Sequence, residues 1–115
     1  MHVFVPTHAF EEIEEHLPEL LRRTGLREGD ARALLKVLGS YVLSIPEELV
    51  AARLGEASKA MTLVDPDDAV YVAAALAIPC DGIWSDDPHL KRQDLAPCWT
   101  TSELVRQLRQ SGFKV

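Results

Sequence analysis

Short apolar runs alternate along this chain with longer segments of helical periodicity. The runs at residues 2–5, 41–45, 83–85 and 98–100 have the length and β-prone composition of strands. Apolar positions recur at helical spacing within residues 7–24, 30–39, 47–61, 66–78 and 101–111. Strands separated by helices favour an α/β fold with a mostly parallel sheet of about four strands.

The segment 69–78 predicts the most deeply buried helix. Apart from the hydroxyl of Tyr71 it is apolar on every side, and a helix of that kind is buried on most of its faces. Asp65 is well placed as its N-cap and Pro66 as its first helical residue, while Pro79 ends it. We therefore expect this helix to lie against the sheet.

Carboxylates stand at both ends of the unit formed by this helix and the strand that follows it. Asp68 lies in the first helical turn, and Asp86 and Asp87 follow the strand at 83–85. Ligands of open α/β sheets bind beyond the carboxyl ends of the strands, where these groups would converge. Carboxylates held together repel one another unless a cation neutralises them, and oxygen ligands suit Mg²⁺ or Mn²⁺. The structural alternative makes them helix caps and solvated charges.

A second ligand pattern occurs near the start of the chain. His8, Glu12 and His16 are spaced four residues apart, so they lie on one helical face and could ligate a transition metal. The alternative is a partly exposed polar stripe, which we favour because Pro18 disturbs the last turn of that helix.

Length and charge restrict the classes of function. A chain of 115 residues with 47% hydrophobic composition predicts one domain with a small core. The net charge of −6 argues against a broad basic surface that follows many phosphates, although a metal site can still meet nucleic acid. Lys91 and Arg92 follow the acidic strand end and could reach a phosphate; a solvated face is the alternative.

The two cysteines and the absence of targeting signals favour a cytoplasmic protein. Cys80 and Cys98 lack the spacing of a metal-binding pair and lie in apolar stretches, so we expect two buried, reduced thiols rather than a disulfide. Neither a signal peptide nor a transmembrane run is recognisable in the sequence.

Three stretches of the chain together resemble the PIN domain family. The sequences DDAVYVAAALA at 67–77 and IWSDDPHL at 83–90 look like the family's C-terminal half, and PTHAFEEIEEHL at 6–17 resembles its glutamate-bearing helix. The family is known for metal-dependent ribonucleases, including VapC-type toxins of toxin–antitoxin pairs. The resemblance implies a single three-layer PIN-like domain over residues 1–115, with helices flanking the sheet.

The resemblance also implies which carboxylates are catalytic. By position, Glu12 matches the helix glutamate, Asp68 the aspartate before the alanine-rich run, and Asp87 the aspartate of the strand-end motif. In such a site these side chains, with Asp86 as a further ligand, hold Mg²⁺ or Mn²⁺. The metal activates a water and stabilises charge on the attacked phosphate.

Other residues near these positions are implied in supporting roles. Ser85 stands where the family commonly has threonine, and Glu11 is the neighbouring option for the helix glutamate. Lys91 and Arg92 are the candidate phosphate contacts.

One departure from the family pattern concerns the start of the chain. The family normally opens with a strand that ends in aspartate, whereas Met1 is followed here by what matches the second strand. We therefore expect an N-terminally shortened domain without that aspartate. The strands at 3–5 and 83–85 would have open edges, which pair with each other or with a second copy of the chain.

Two functions follow from the resemblance. The first is a divalent-metal-dependent endoribonuclease of the toxin–antitoxin type, which hydrolyses RNA phosphodiester bonds with reduced or no activity and has an antitoxin protein as partner. The second is a non-catalytic PIN-like binding or regulatory module that self-associates, as a dimer, or binds a partner protein. A third interpretation, a different α/β fold whose acids are helix caps, has less support.

Overall fold

The computed structural model describes residues 2–112 and 114, and the chain divides into two compact units, Met1–Glu47 and Glu48–Val115. Each unit combines one parallel pair of strands with helices. The predicted α/β class with parallel strands is therefore confirmed. None of the described helices is long and apolar enough to cross a membrane.

The first unit contains two strands and three helices. In chain order they are β1 (Val3–Pro6), α1 (Thr7–Glu15), α2 (Leu17–Thr24), α3 (Glu28–Gly39) and β2 (Val42–Ile45). The strands β1 and β2 run parallel, with Val3 opposite Val42 and Pro6 opposite Ile45. The three helices form the connection that a parallel pair requires.

Proline and glycine set the boundaries of α2. Pro18 lies in its first turn, where a missing backbone N–H costs nothing. Gly25 ends it with φ 71°, in the left-handed region that favours glycine. The extended backbone of Pro6 precedes α1 directly, and no side chain caps that helix.

The second unit contains most of the helical residues. Its elements are α4 (Glu47–Met61, beginning at the boundary), a 3₁₀ turn (Pro66–Asp68), α5 (Ala69–Ala77), β3 (Ile83–Trp84), a second 3₁₀ turn (Leu90–Arg92), β4 (Cys98–Trp99) and α6 (Thr101–Gln110). The strands β3 and β4 are parallel, with Ile83 opposite Cys98 and Trp84 opposite Trp99.

The helix α5 forms the centre of the second unit's core. Val72 and Ala73 are completely buried there, as is Met61 at the end of α4. The prediction that this helix is buried on most sides is confirmed. Its alanines leave room for close neighbours, and α5 contacts β3 directly.

Gly82 allows the chain to enter β3. Its φ is 130°, and a Cβ at this position would collide with the carbonyl oxygen of Pro97. The same carbonyl accepts a hydrogen bond of 2.8 Å from the N–H of Ile83. A side chain at residue 82 would therefore disturb the backbone pairing that begins the β3–β4 pair.

The strands do not join into the single sheet of about four that the sequence predicted. In the described residues they form two separate parallel pairs. The strands β3 and β4 have only two residues each, so they offer few backbone groups beyond those used in their own pair.

Both cysteines are free thiols, and one of them lies in a different environment from that expected. Cys98 is half-buried, but Cys80 is exposed, which makes the prediction of two buried thiols wrong. Cys80 follows the proline that ends α5, and its Sγ donates to the carbonyl of Ala75 at 3.4 Å. The polar turn after the helix therefore holds the thiol at the surface.

Candidate metal centre

Four potential metal ligands cluster within the second unit. Asp65, Asp68, Asp87 and His89 each offer one ligand atom, and these atoms all lie within 4.8 Å of one another. The first two residues belong to the turn that leads into α5. The other two belong to the loop that follows β3. The turn and the loop are brought together because α5 and β3 pack against each other.

The turn before α5 positions two of the aspartates. Asp65 is its N-cap, and Oδ1 accepts a hydrogen bond of 3.2 Å from the N–H of Asp67. The N–H of Asp68 donates to the carbonyl of Asp65 at 3.1 Å, which closes the turn. Since a carboxylate has two oxygens, Asp65 caps the turn with one and keeps the other for the cluster.

Local hydrogen bonds hold the loop after β3. Ser85 Oγ accepts from the N–H of Asp87 at 3.1 Å, and Asp87 Oδ1 accepts from the N–H of His89 at 2.9 Å. The next residue, Leu90, is buried, and its N–H donates to the carbonyl of Asp87 at 3.2 Å. Ser85, predicted in a supporting role, thus orients the backbone of a cluster residue.

The negative charges of the clustered aspartates repel one another. Burial, followed by the negative charges of Asp65 and Asp87, raises the pKa of Asp68 from 3.8 to about 6. The imidazole of His89 lies between two acids, with Nδ1 3.2 Å from Asp65 Oδ2 and 3.7 Å from Asp87 Oδ1. A divalent cation would relieve this repulsion, and the donor set is one that such ions accept. The residues present therefore fit a divalent metal.

The structure brings two of the predicted catalytic carboxylates together, namely Asp68 and Asp87. Glu12 and Glu11 lie on α1 in the first unit, where both face His8: Glu12 Oε1 is 3.0 Å from Nε2 and Glu11 Oε2 is 3.7 Å from Nδ1. Their role as ligand and supporting residue stays a prediction. In the described part of the chain, His8, Glu12 and His16 do not form a group of three potential ligands.

Asp86 points to a different element. Its Oδ1 accepts from the N–H of Thr101 at 2.8 Å and its Oδ2 from the hydroxyl of the same residue at 2.7 Å. These hydrogen bonds hold the pKa of Asp86 below its usual value. The carboxylate therefore holds the start of α6 and is not among the four clustered groups.

The two predicted phosphate contacts differ in their surroundings. Lys91 Nζ lies 2.5 Å from Glu103 Oε1 and donates to the carbonyl of Cys98 at 3.1 Å. Together with the cap contacts of Thr100, this pairing lowers the pKa of Glu103 to about 2. Arg92, like Lys91, is exposed, and the role of both as phosphate contacts stays a prediction.

Sequence reasoning missed two members of the cluster. The sequence predicts Asp65 only as a cap and gives His89 no role. The spacing offers a signal for both: Asp65 precedes Asp68 by one helical turn, and His89 follows Asp87 by two residues at the end of a strand.

The chain is thus an α/β protein with a carboxylate-rich cluster of potential metal ligands beyond the end of a strand. The family model described as the PIN domain matches residues 1–109, across both units, so the chain belongs to the PIN domain family. Membership indicates a nuclease-like function, and PIN domains generally use divalent metals. No curated protein and no solved structure matches the chain significantly.

Proposed function

We propose that this protein is a divalent-metal-dependent endoribonuclease that hydrolyses RNA phosphodiester bonds. Asp68 and Asp87 would hold the metal, with Asp65 and His89 beside them. The observation that carries the proposal is the convergence of these four groups within 4.8 Å in a chain of the PIN domain family.

The charge of the site determines what it can do. A cluster with three aspartates repels a phosphodiester, so the anionic substrate needs a neutralising cation before it can approach. The chemistry supplied by a bound divalent ion is activation of a water and stabilisation of charge on the phosphate. The protein's own contribution is to hold the carboxylates at fixed positions, which the turn before α5 and the loop after β3 provide.

Contacts outside the cluster would orient the RNA. Arg92 lies three residues beyond His89 and is exposed, so its guanidinium can bind a backbone phosphate in a bidentate manner. This contact is independent of base identity, so it would position the strand without selecting a sequence. We further propose the toxin–antitoxin type of function, in which an antitoxin protein controls the activity.

An RNA cleavage assay with Mn²⁺ tests the proposal, with Asp68→Asn and Asp87→Asn as the informative variants. Each removes a negative charge from the cluster, and we expect the cleavage rate to fall at least about 100-fold. Asp67→Asn is the matched control, because Asp67 is an exposed neighbour in the same turn and lies outside the cluster.

The control should cleave RNA as the unsubstituted protein does. Equal rates for the protein and for Asp68→Asn would show that any cleavage comes from elsewhere, such as a contaminating nuclease. Absence of cleavage in every metal tested would reject the ribonuclease assignment.

A non-catalytic module that self-associates is the second candidate, and an exposed apolar stripe favours it. Leu34, Val37, Leu38 and Tyr41 follow one another at the spacing of a single helical face along and just beyond α3, and all four are exposed. Solvent-exposed apolar stripes of this kind mark protein interaction surfaces.

Light scattering after size-exclusion chromatography tests this candidate. If a second copy of the chain covers the stripe, the protein is a dimer and Leu38→Asp converts it to a monomer. A monomer at high protein concentration would exclude self-association, both through this stripe and through the strand edges.

A further inference from the structure

We propose that His89 is a ligand of the metal, through Nδ1, and that it makes the site prefer a divalent transition-metal ion to Mg²⁺. The inference rests on the metal site of the proposed function and specifies which ion that site selects.

Nδ1 of His89 is close to the carboxylates of the cluster. This atom faces two carboxylates at once, Asp65 Oδ2 at 3.2 Å and Asp87 Oδ1 at 3.7 Å. The four potential ligand atoms all lie within 4.8 Å of one another, so an ion placed among them could contact several of them.

The position of Nδ1 places it among the acids of the cluster. It lies within hydrogen-bond distance of Asp65 and 3.7 Å from Asp87, two acids that come from different segments of the chain. The backbone N–H of His89 donates to Asp87 Oδ1, and the next residue, Leu90, is buried. The backbone that carries the imidazole ring is therefore held in place.

Ligand chemistry then predicts the preference. Mg²⁺ takes oxygen ligands and rarely gives up its waters, whereas imidazole nitrogen favours first-row transition metals. Three carboxylates alone would accept Mg²⁺ and Mn²⁺ with little discrimination. One nitrogen among the four groups raises the affinity for Mn²⁺, and for Co²⁺ more strongly, while it contributes little to Mg²⁺.

Metal binding measured by calorimetry tests the inference directly. Mn²⁺, Co²⁺ and Mg²⁺ are titrated separately into the protein and into His89→Asn, which replaces the nitrogen donor with an oxygen donor close to the backbone. We expect the affinities for Mn²⁺ and Co²⁺ to fall at least about 10-fold, with a smaller change for Mg²⁺. The visible absorption of bound Co²⁺, which depends on its ligands, should also change. His16→Asn, an exposed histidine of the first unit, is the control and should bind as the unsubstituted protein does.

Two results would overturn the inference: equal loss of affinity for all three ions, which indicates a positioning role, or no loss at all. Asp68→Asn separates this failure from that of the proposed function. If Asp68→Asn loses metal binding while His89→Asn keeps the preference, the metal site stands and the role of His89 is wrong. If His89→Asn loses the preference but no protein cleaves RNA, the ligand role stands and the ribonuclease proposal is wrong. If no metal binds, both are wrong.

Discussion

The two units of this protein differ in where their apolar side chains lie. Most of the described buried apolar residues belong to the second unit, around α4 and α5, whereas most of the exposed large apolar side chains belong to the first. Leu38 on α3 is 53% exposed, while Met61 at the end of α4 is completely buried. The second unit thus has an interior of its own, and the first presents apolar surface to its surroundings.

The candidate metal centre lies in the second unit, beside its buried residues. Asp68 immediately precedes the buried Ala69, and His89 immediately precedes the buried Leu90. Ligands next to buried residues are held in place, as a metal site requires. In contrast, α1, which carries Glu12, has no fully buried residue.

The largest effect is expected from a cavity in the second unit's core. Met61→Ala should lower the free energy of unfolding by about 2–5 kcal/mol, because it removes fully buried side-chain atoms. Leu38→Ala in the first unit should change it by less than about 0.5 kcal/mol, since that side chain is exposed. Urea denaturation measures both. Similar losses for the two variants would show that the stripe on α3 is covered in solution.

The next largest loss of stability is expected from substitution of a glycine that has a positive φ. Gly82→Ala should cost about 3 kcal/mol, because its Cβ meets the carbonyl of Pro97 in addition to the strain of a positive φ. Gly25→Ala should cost only about 1 kcal/mol, since φ is positive there but no atom lies within 4 Å. Thermal unfolding compares the pair, and equal costs would mean that the turn before β3 adapts to a side chain.

A smaller effect should appear when the pH is changed in the absence of metal. The pKa of Asp68 is raised from 3.8 to about 6 in the fold, so folding favours the protonated acid. The associated stability is present below a pH of about 4 and is lost as the pH rises through about 6. The unfolding temperature should therefore fall over that window, and Mn²⁺ added at neutral pH should restore it.

Asp68→Asn is the control for this pH effect, because it removes the titrating group. Its unfolding temperature should depend less on pH over the same window and should respond weakly to Mn²⁺. An unchanged pH dependence in this variant would assign the effect to another acid.

The smallest losses of stability are expected from substitutions at a surface ion pair and at a helix cap. Arg32 contacts Glu14 at 2.6 Å and Glu28 at 3.3 Å in the first unit, but all three side chains are exposed, so Arg32→Ala should cost less than about 1 kcal/mol. Thr100→Ala removes the capping box of α6 and should cost about 1 kcal/mol. If the ion pairs of Arg32 are stronger than expected, the stability cost of Arg32→Ala should rise at low salt to that of Thr100→Ala.

Local patterns predicted the fold best where a segment carries its own signals. The apolar run at 69–78 predicts a buried helix, and α5 is that helix. Gly25 at the end of α2 and the capping box of Thr100 and Glu103 are signals of the same local kind. The pairing of the strands was predicted poorly, because two-residue strands carry too little pattern to specify their partners.

The candidate site was predicted in part for a similar reason. Asp68 and Asp87 were singled out because each lies at the end of a recognisable element, and the structure places them together. Asp86 was included for its position, yet its carboxylate binds Thr101, a partner distant in sequence. His89 was missed because its position beside Asp65, 24 residues earlier, depends on the packing of two elements.

Four properties follow from the amino-acid sequence alone: the class of the fold, the helices that have periodicity and caps, the family, and the acids available to bind a metal. These properties depend on contacts between residues a few positions apart. The packing of distant elements brings the turn before α5 and the loop after β3 together, so that they offer four potential ligands, including an imidazole, and it directs Asp86 to α6 instead. The direction of a side chain depends on which distant partner competes for it, and local patterns contain no record of that competition.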